Sequence, residues 1–395
     1  MVAAELLLQR RGGRGEVPRG WPAVAYLASA AANNAPDLDL LYLGITGGKL
    51  GYLVHHRGHT HTLVFALPLA LLVMLPVWLY ARRRDDWKPP DLRALFGLVL
   101  FGPVLHLAMD ATNNYGVHPF WPFDNRWYYG DTVFIVEPLL WASVCPALFF
   151  AVRSKLGKGF FAFVVGGGLL LSAVSGRVAI PLVGALTVWT AAVAFLAARL
   201  SVTRRGIAAL GAAGATYLVF GLASMQAKKT VRDAYQRIAP PETLREVVAT
   251  PAPANPFCWM VIGISDDGHD AVLRRGEVRL FGLSELCASK GLFTTPTAPL
   301  GPGSGGTAHF AVEGTFRAPL AELRALADDC RAAAFMQWAR APFWRREETR
   351  TVIGDLRYDF DESVGWAEVA LPPEDTTCPE NLPAWTPPRA DWLGR

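Results

Sequence analysis

Four of the eight histidines fall within seven residues: His55, His56, His59 and His61, in the stretch GYLVHHRGHTHT directly before a long apolar run. Imidazole is the commonest metal ligand and the usual proton carrier near neutral pH, so this density at the edge of an apolar segment predicts a metal site. Two further elements offer donors. Asp37 and Asp39 follow Pro36 in a turn, and His106 and Asp110 lie four positions apart in a helical run, on one face and within reach of one ion. Imidazoles and carboxylates thus come from three separate elements, as enclosing a cation requires. Plainer readings stand beside these: turn formation for Asp37 and Asp39, capping of the Asn113-Asn114 turn by Asp110, and a carbonyl partner for His106. In the histidine stretch, Thr60 or Thr62 caps the following helix, Arg57-Gly58 shapes the turn, and one or two histidines need only be exposed.

The elements that must position these residues are membrane spans. Apolar runs at about 62–81, 94–112, 132–152, 159–175, 178–200 and 206–225 approach the roughly 20 residues that cross a bilayer core. A shorter apolar stretch, 21–34, leads into the Pro36 turn, and the opening residues read as the last turns of a helix. Gly166, Gly167 and Gly168 suit close helix contact. Charged groups in such runs are by default functional or paired. Glu137, six residues into an apolar run that starts near Asp131, therefore needs a partner, supplied by the site or by Arg126 or Arg177. Trp121, Trp127, Tyr128 and Tyr129 suit an interfacial aromatic belt, and His118 in the same loop is a weaker ligand candidate. His269 and His309 have no companions.

Of the 395 residues 52% are hydrophobic and 18% charged, an average over two unlike parts. The predicted organisation is a polytopic α-helical membrane domain over 1–226, with about six full spans and a short N-terminal helix. A linker over 227–245 and a soluble α+β domain over 246–395 follow. Expected elements of that domain are strands at Cys258–Ile264, Glu277–Phe281, Thr351–Tyr358 and Trp366–Leu371, one amphipathic helix at Leu320–Arg340, and a loop over 294–307. The connections 9–19, 82–93, 153–158 and 199–205 hold 15 lysines and arginines, against 4 in 37–61, 113–131 and 176–177. The first set is therefore expected in the cytoplasm, and the histidine stretch and C-terminal domain on the opposite face; Lys228, Lys229, Arg232 and Arg237 after the last span run against this, although long translocated domains weigh little in the rule. The net charge of +4 follows these loops and forms no nucleic-acid patch. The five cysteines show no CxxC spacing, which argues against thiolate zinc. Cys258, Cys287, Cys330 and Cys378 allow three disulfide pairings or free thiols.

The motifs PDLD, HRGHTHT and HLAMDATNNYGVHPFWPF resemble the YdjM-like family, described as LexA-binding, inner-membrane-associated, metal-dependent hydrolases. Its pattern is roughly PDxD, HRGxTHS, HxxxDxxTxxG and a following PF. The segments NPFCWMVI, FMQWARAPFW and VIGDLRYDF resemble a C-terminal extension found in one branch. Position by position, the resemblance implies Asp37, Asp39, His56, His61, His106 and Asp110 as the metal set, with His55 and His59 outside it. Thr62 replaces the pattern's serine, and Glu137 stands where an aspartate is expected. Family members begin with a helix bearing a Thr-His motif, and this sequence starts inside that helix.

The expected function is hydrolysis at a divalent metal, zinc with manganese as alternative, on lipid or phosphoester substrates at the membrane surface. Asp37 or Glu137 would take the proton of the attacking water, and Arg57 would hold an anionic group or pin the turn. Membrane lipids are the expected partners. The alternative is a non-catalytic membrane interaction protein whose partner binds through 246–395. HExxH is absent, which weakens a metalloprotease reading, and a transporter fits poorly with donors gathered at one edge. The LexA-binding part of the family label conflicts with an outward-facing domain and is not carried over.

Overall fold

In the computed structural model the described residues are 7, 18–44, 48–152, 154–239, 241–287, 300–302, 306–307, 309–359, 364–372, 374 and 377–394. The opening basic stretch and most of the 294–307 segment lie outside them. Among the described residues, eight α-helices of more than one turn precede the first strand: α1 Trp21–Asn34, α2 Gly48–His55, α3 Leu63–Ala81, α4 Pro89–Asp110, α5 Pro138–Ala151, α6 Lys155–Val174, α7 Ile180–Arg199 and α8 Val202–Ile238. Five of these, α3, α4, α6, α7 and α8, are long and apolar enough to cross a membrane. The expected sixth, 132–152, forms only the 14-residue α5, because residues 131–137 lie outside any helix and Glu137 caps α5 by accepting from Leu139 N at 2.9 Å.

The helices form two packed groups. In the first, Trp21, Ala25, Ala28 and Ala32 of α1 meet Met74 and Val77 of α3 and Leu95 and Val99 of α4. Gly102 makes this approach possible, since a Cβ there would lie 2.8 Å from Ala32 Cβ and 2.9 Å from Asn33 N. In the second group α5 packs against α6, α7 and α8. Of the Gly166–Gly168 cluster only Gly168 faces a neighbour, with Trp141 3.0 Å from a Cβ placed there.

The stretch expected as a linker is largely helical, because α8 continues to Ile238. Ala227, Val231, Ala234 and Tyr235 keep an apolar stripe at helical spacing, which buries against Val247, Ala249, Trp259 and Val261 of a sheet. That sheet is antiparallel, in the order β1-β2-β3-β6-β4 with β5 also on β6. Its main strands are β1 Thr243–Ala252, β2 Asn255–Asp266, β3 Asp270–Arg279 and β6 Phe310–Pro319; β4 Gly301–Pro302 and β5 Gly306–Thr307 are short. Side chains alternate across it, so Val248, Met260, Ile262 and Leu273 point away from α8 into the largest core. There they meet Leu53 and Val54 of α2, Phe335 and Trp338, and Phe343 and Ile353 of a three-stranded sheet, β7 Pro342–Arg346, β8 Thr351–Asp355 and β9 Glu368–Leu371. Leu320–Arg340 is not one helix. It breaks into α9 Leu320–Leu326 and α10 Cys330–Met336, because Asp329 turns its carboxylate onto Arg331 N at 2.8 Å and starts a new helix. A last short helix, α11 Ala390–Leu393, closes the chain.

Two disulfides staple this part, Cys258–Cys287 and Cys330–Cys378, and Cys145 is free and buried in α5. Gly102→Val should destabilise the helical part by about 1–3 kcal/mol through overpacking against the α1 backbone. Thermal unfolding in detergent tests this, with Gly166→Val, which meets no neighbour within 4 Å, as the near-neutral comparison.

Candidate metal centre

The donors sit where three helix ends meet. Asp37 and Asp39 are carried on a 3-10 stretch, Ala35–Gly44, that follows α1. His55 ends α2; Arg57, at φ 60°, reverses the chain, and a second 3-10 turn, His59–His61, delivers His61. Gly58 is needed at this reversal, since a Cβ would lie 2.8 Å from His55 O and 3.0 Å from the Trp385 ring. Thr62 is the cap of α3, accepting from Phe65 N at 3.1 Å, while Thr60 turns inward. His106 and Asp110 come from the last turn of α4.

Four donor atoms from these elements converge. His61 Nε2, His106 Nε2 and Asp110 Oδ2 form a triangle with all three sides at 3.2 Å. Asp37 Oδ1 lies 3.5 Å from both imidazole nitrogens, and all four atoms are within 4.8 Å of one another. The five separations that involve an imidazole nitrogen, 3.2–3.5 Å, are those of donors about 2.0–2.1 Å from a common centre, the range of zinc–nitrogen and zinc–oxygen bonds. Asp110 Oδ2 is buried and accepts no well-aligned hydrogen bond. Two imidazole nitrogens turned toward each other beside such an oxygen, with only one proton able to lie between them, suit a cation better than a hydrogen-bonded network. The residues therefore fit a divalent ion.

Behind this group Asp39 does a different job. Its Oδ2 lies 3.3 Å from His61 Nδ1 and accepts from Arg57 N at 3.0 Å and Thr60 Oγ1 at 3.1 Å, while Oδ1 lies 3.2 Å from His56 Nδ1. A carboxylate on Nδ1 fixes the tautomer that leaves Nε2 free to ligate. Burial opposes charge on Asp39, but its contacts with His56 and His61 outweigh it and hold the carboxyl well below the usual range. Asp37 is likewise lowered: His106 and His61 overcome its burial. Burial also disfavours a charged His61, yet Asp110, Asp37 and Asp39 together push this imidazole up to about 10. Asp37, Asp39 and His56 form a second set of mutually close donors.

Of the residues singled out in the sequence, Asp37, Asp39, His56, His61, His106 and Asp110 are brought together, and Glu137 is not. Glu137 instead accepts from Leu139 N and, at 3.1 Å, from Ala254 N at the tip of the β1–β2 hairpin; neither Arg126 nor Arg177 pairs with it. Arg57 is buried and committed within the protein, with Nη2 3.0 Å from Asp110 Oδ1 and Nη1 2.8 Å from Asn113 Oδ1. His118 is stacked on Trp385 at 3.7 Å, and burial lowers it to about 3. His59 packs between Trp121 and Trp385. Trp127 is buried and donates to Gln337 O at 2.6 Å, so part of the expected aromatic belt instead docks the C-terminal domain.

Sequence reasoning missed that docking. Trp385 Nε1 donates to Val54 O at 2.8 Å, Arg357 Nη1 to Asn114 O at 2.7 Å, and Tyr358 Oη to Asn114 Oδ1 at 3.1 Å. Trp366 and Tyr115 extend an aromatic wall from Tyr52 and His56. The only signal in the sequence was the wealth of tryptophan in a domain with no span to anchor.

Fold and site together define a polytopic membrane protein with a His/Asp cluster able to hold a metal ion. Residues 1–180 match the model of the YdjM inner membrane protein family, and every donor in the cluster lies in that range. The chain is also similar to "Uncharacterized protein YfhP" of Bacillus subtilis, 26% identical over 130 residues, or 32% of this chain and 37% of that protein. The match thus spans little more than a third of that relative's length. No solved structure matches.

Removing the carboxylate behind His61 should weaken metal binding without deleting any of the four converging donors. Asp39→Ala is expected to lower affinity about 10–100-fold. His61→Ala should lose more, and competition against a chromophoric chelator measures both.

Proposed function

We propose that this protein is a membrane-bound, metal-dependent hydrolase in which His61, His106 and Asp110 hold one divalent ion, zinc by the size and chemistry of the donor set. The observation that carries this reading is the convergence of two imidazoles and two carboxylates within 4.8 Å of one another, with Asp39 bound to the outer nitrogen of His61. When bound, such an ion polarises an ester or phosphoryl oxygen and acidifies water. The remaining work falls to the chain's own groups. Asp39 keeps the proton of His61 on Nδ1. Arg57 fixes Asp110 and, being buried and paired, serves as a positioning residue rather than a grip on substrate. Asp37 has the most exposed side chain of the four donors, at 37%, and stands on the open side. There it takes the proton of the attacking water as the ester bond breaks, and returns it to the leaving oxygen.

Lipid or lipid-linked phosphoesters are the proposed substrate class. Leu38 and Leu41 beside the aspartates, Leu63 and Val64 after the histidines, and Leu105 and Met109 on α4 are all exposed apolar groups ringing the donors. A substrate held in the bilayer would meet the site sideways from the apolar phase. We further place the site and the C-terminal domain on the non-cytoplasmic face of the inner membrane. The asymmetry of lysine and arginine supports this, as do the two disulfides, which persist in oxidising compartments.

Elemental analysis of the detergent-purified protein should give stoichiometric zinc or manganese, lost in His106→Ala/Asp110→Ala. Asp37→Asn should keep the metal yet lose at least about 100-fold of phosphodiesterase or esterase turnover. A well-folded wild type without metal would overturn the assignment. Full cysteine alkylation in unreduced, freshly isolated membranes would overturn the placement of the domain.

A further inference from the structure

Apart from the metal centre, the junction between α8 and the sheet encloses a polar cavity of about 320 Å³. Lys228 and Arg232, four residues apart on α8, form one wall; Arg245 and Glu246 of β1 form another; Arg340 and Tyr129 lie at its base. Four cations and one carboxylate therefore line it. Arg340 clamps both oxygens of Asp131 at 2.7 and 2.9 Å and reaches Glu246 at 2.6 Å. Lys228 also bonds Asp131 at 2.7 Å, Arg245 bonds Asp266 at 2.6 Å, and Arg389 bonds Glu246 at 2.8 Å. Five cations share four carboxylates, Asp391 lying 3.8 Å from Arg389, which leaves an excess of one positive charge. Arg232 is exposed and makes no ion pair or hydrogen bond among the described residues. The Tyr129 hydroxyl is buried and also has no hydrogen-bond partner, which a buried donor rarely tolerates.

The cavity's level relative to the helices narrows what fills it. Leu218, Leu222 and Met225 on α8 are exposed apolar side chains of the spanning part, and Lys228 follows within one turn. The cavity thus opens where the apolar phase ends. A tetrahedral, multiply charged oxyanion would use the free Arg232 guanidinium and the Lys228 ammonium together.

We propose that this cavity binds a phosphate group, carried either by an anionic phospholipid or by a soluble phosphate compound. The site is separate from the metal centre and does not depend on its chemistry. The test uses the full chain after chelation of metal, first in detergent titrated with inorganic phosphate, then in nanodiscs of phosphatidylcholine with and without phosphatidylglycerol, each followed by thermal unfolding. Stabilisation by inorganic phosphate assigns a soluble ligand; stabilisation by phosphatidylglycerol alone assigns a lipid headgroup. In either case Arg232→Gln should weaken the effect about tenfold, while Arg237→Gln, which removes the same charge from the same helix outside the cavity, should leave it unchanged. Arg232 carries no structural contact, so its variant should fold. Absence of stabilisation by both probes, or equal weakening in Arg232→Gln and Arg237→Gln, would overturn the proposal.

Discussion

A buried carboxylate needs partners on all sides, and in this protein Asp39 finds them in the backbone of Arg57, the hydroxyl of Thr60 and the rings of His56 and His61. That requirement ties a turn following one helix to a turn preceding another. In front of it, His61 Nε2 and the carboxylate of Asp110 are aimed by bonds made behind them, from Asp39 and Arg57. Arg57 extends the same logic, because its backbone serves Asp39 while its guanidinium pins Asp110. An uncompensated charge at this depth is costly, so the polar network holds as a unit or not at all.

Around this network the two helix groups and the sheet act as a frame. The α1–α4 contact at Gly102 sets the height of Asp37 against His106, because both lie about one turn beyond it toward the same face. The far side of the frame is the C-terminal domain, whose tryptophans press on the histidine turn from behind. The site thus borrows rigidity from residues more than 300 positions away in the chain, as the Trp385–Val54 bond illustrates.

Much of this was legible from residue types. A cluster of imidazoles at an apolar edge, a helical His106/Asp110 pair and a proline-led aspartate pair are local patterns, and local patterns survive into structure. What stayed hidden was division of labour and distance. Asp39 and Asp37 look equivalent in sequence, and only geometry makes one a backing group and the other the exposed corner. Glu137 seemed bound to the site because it needed a partner, yet that partner was a backbone N–H 117 residues downstream. The break at Asp329 was missed because amphipathic spacing carried across it, while the continuation of α8 beyond the membrane was hidden by its change of composition. Neither signal shows how long one helix is.

The Glu137–Ala254 bond also bears on how the protein is made. When α5 enters the membrane, the hairpin that supplies the Ala254 N–H has yet to be synthesised, and the indole that braces the histidine turn comes later still. The early helices therefore wait, with a carboxylate and an unbraced turn exposed, until these later segments have emerged. Completion of the centre is timed by synthesis of the C-terminal domain, so a nascent or clipped chain that lacks it carries the donors but not the scaffold that aims them.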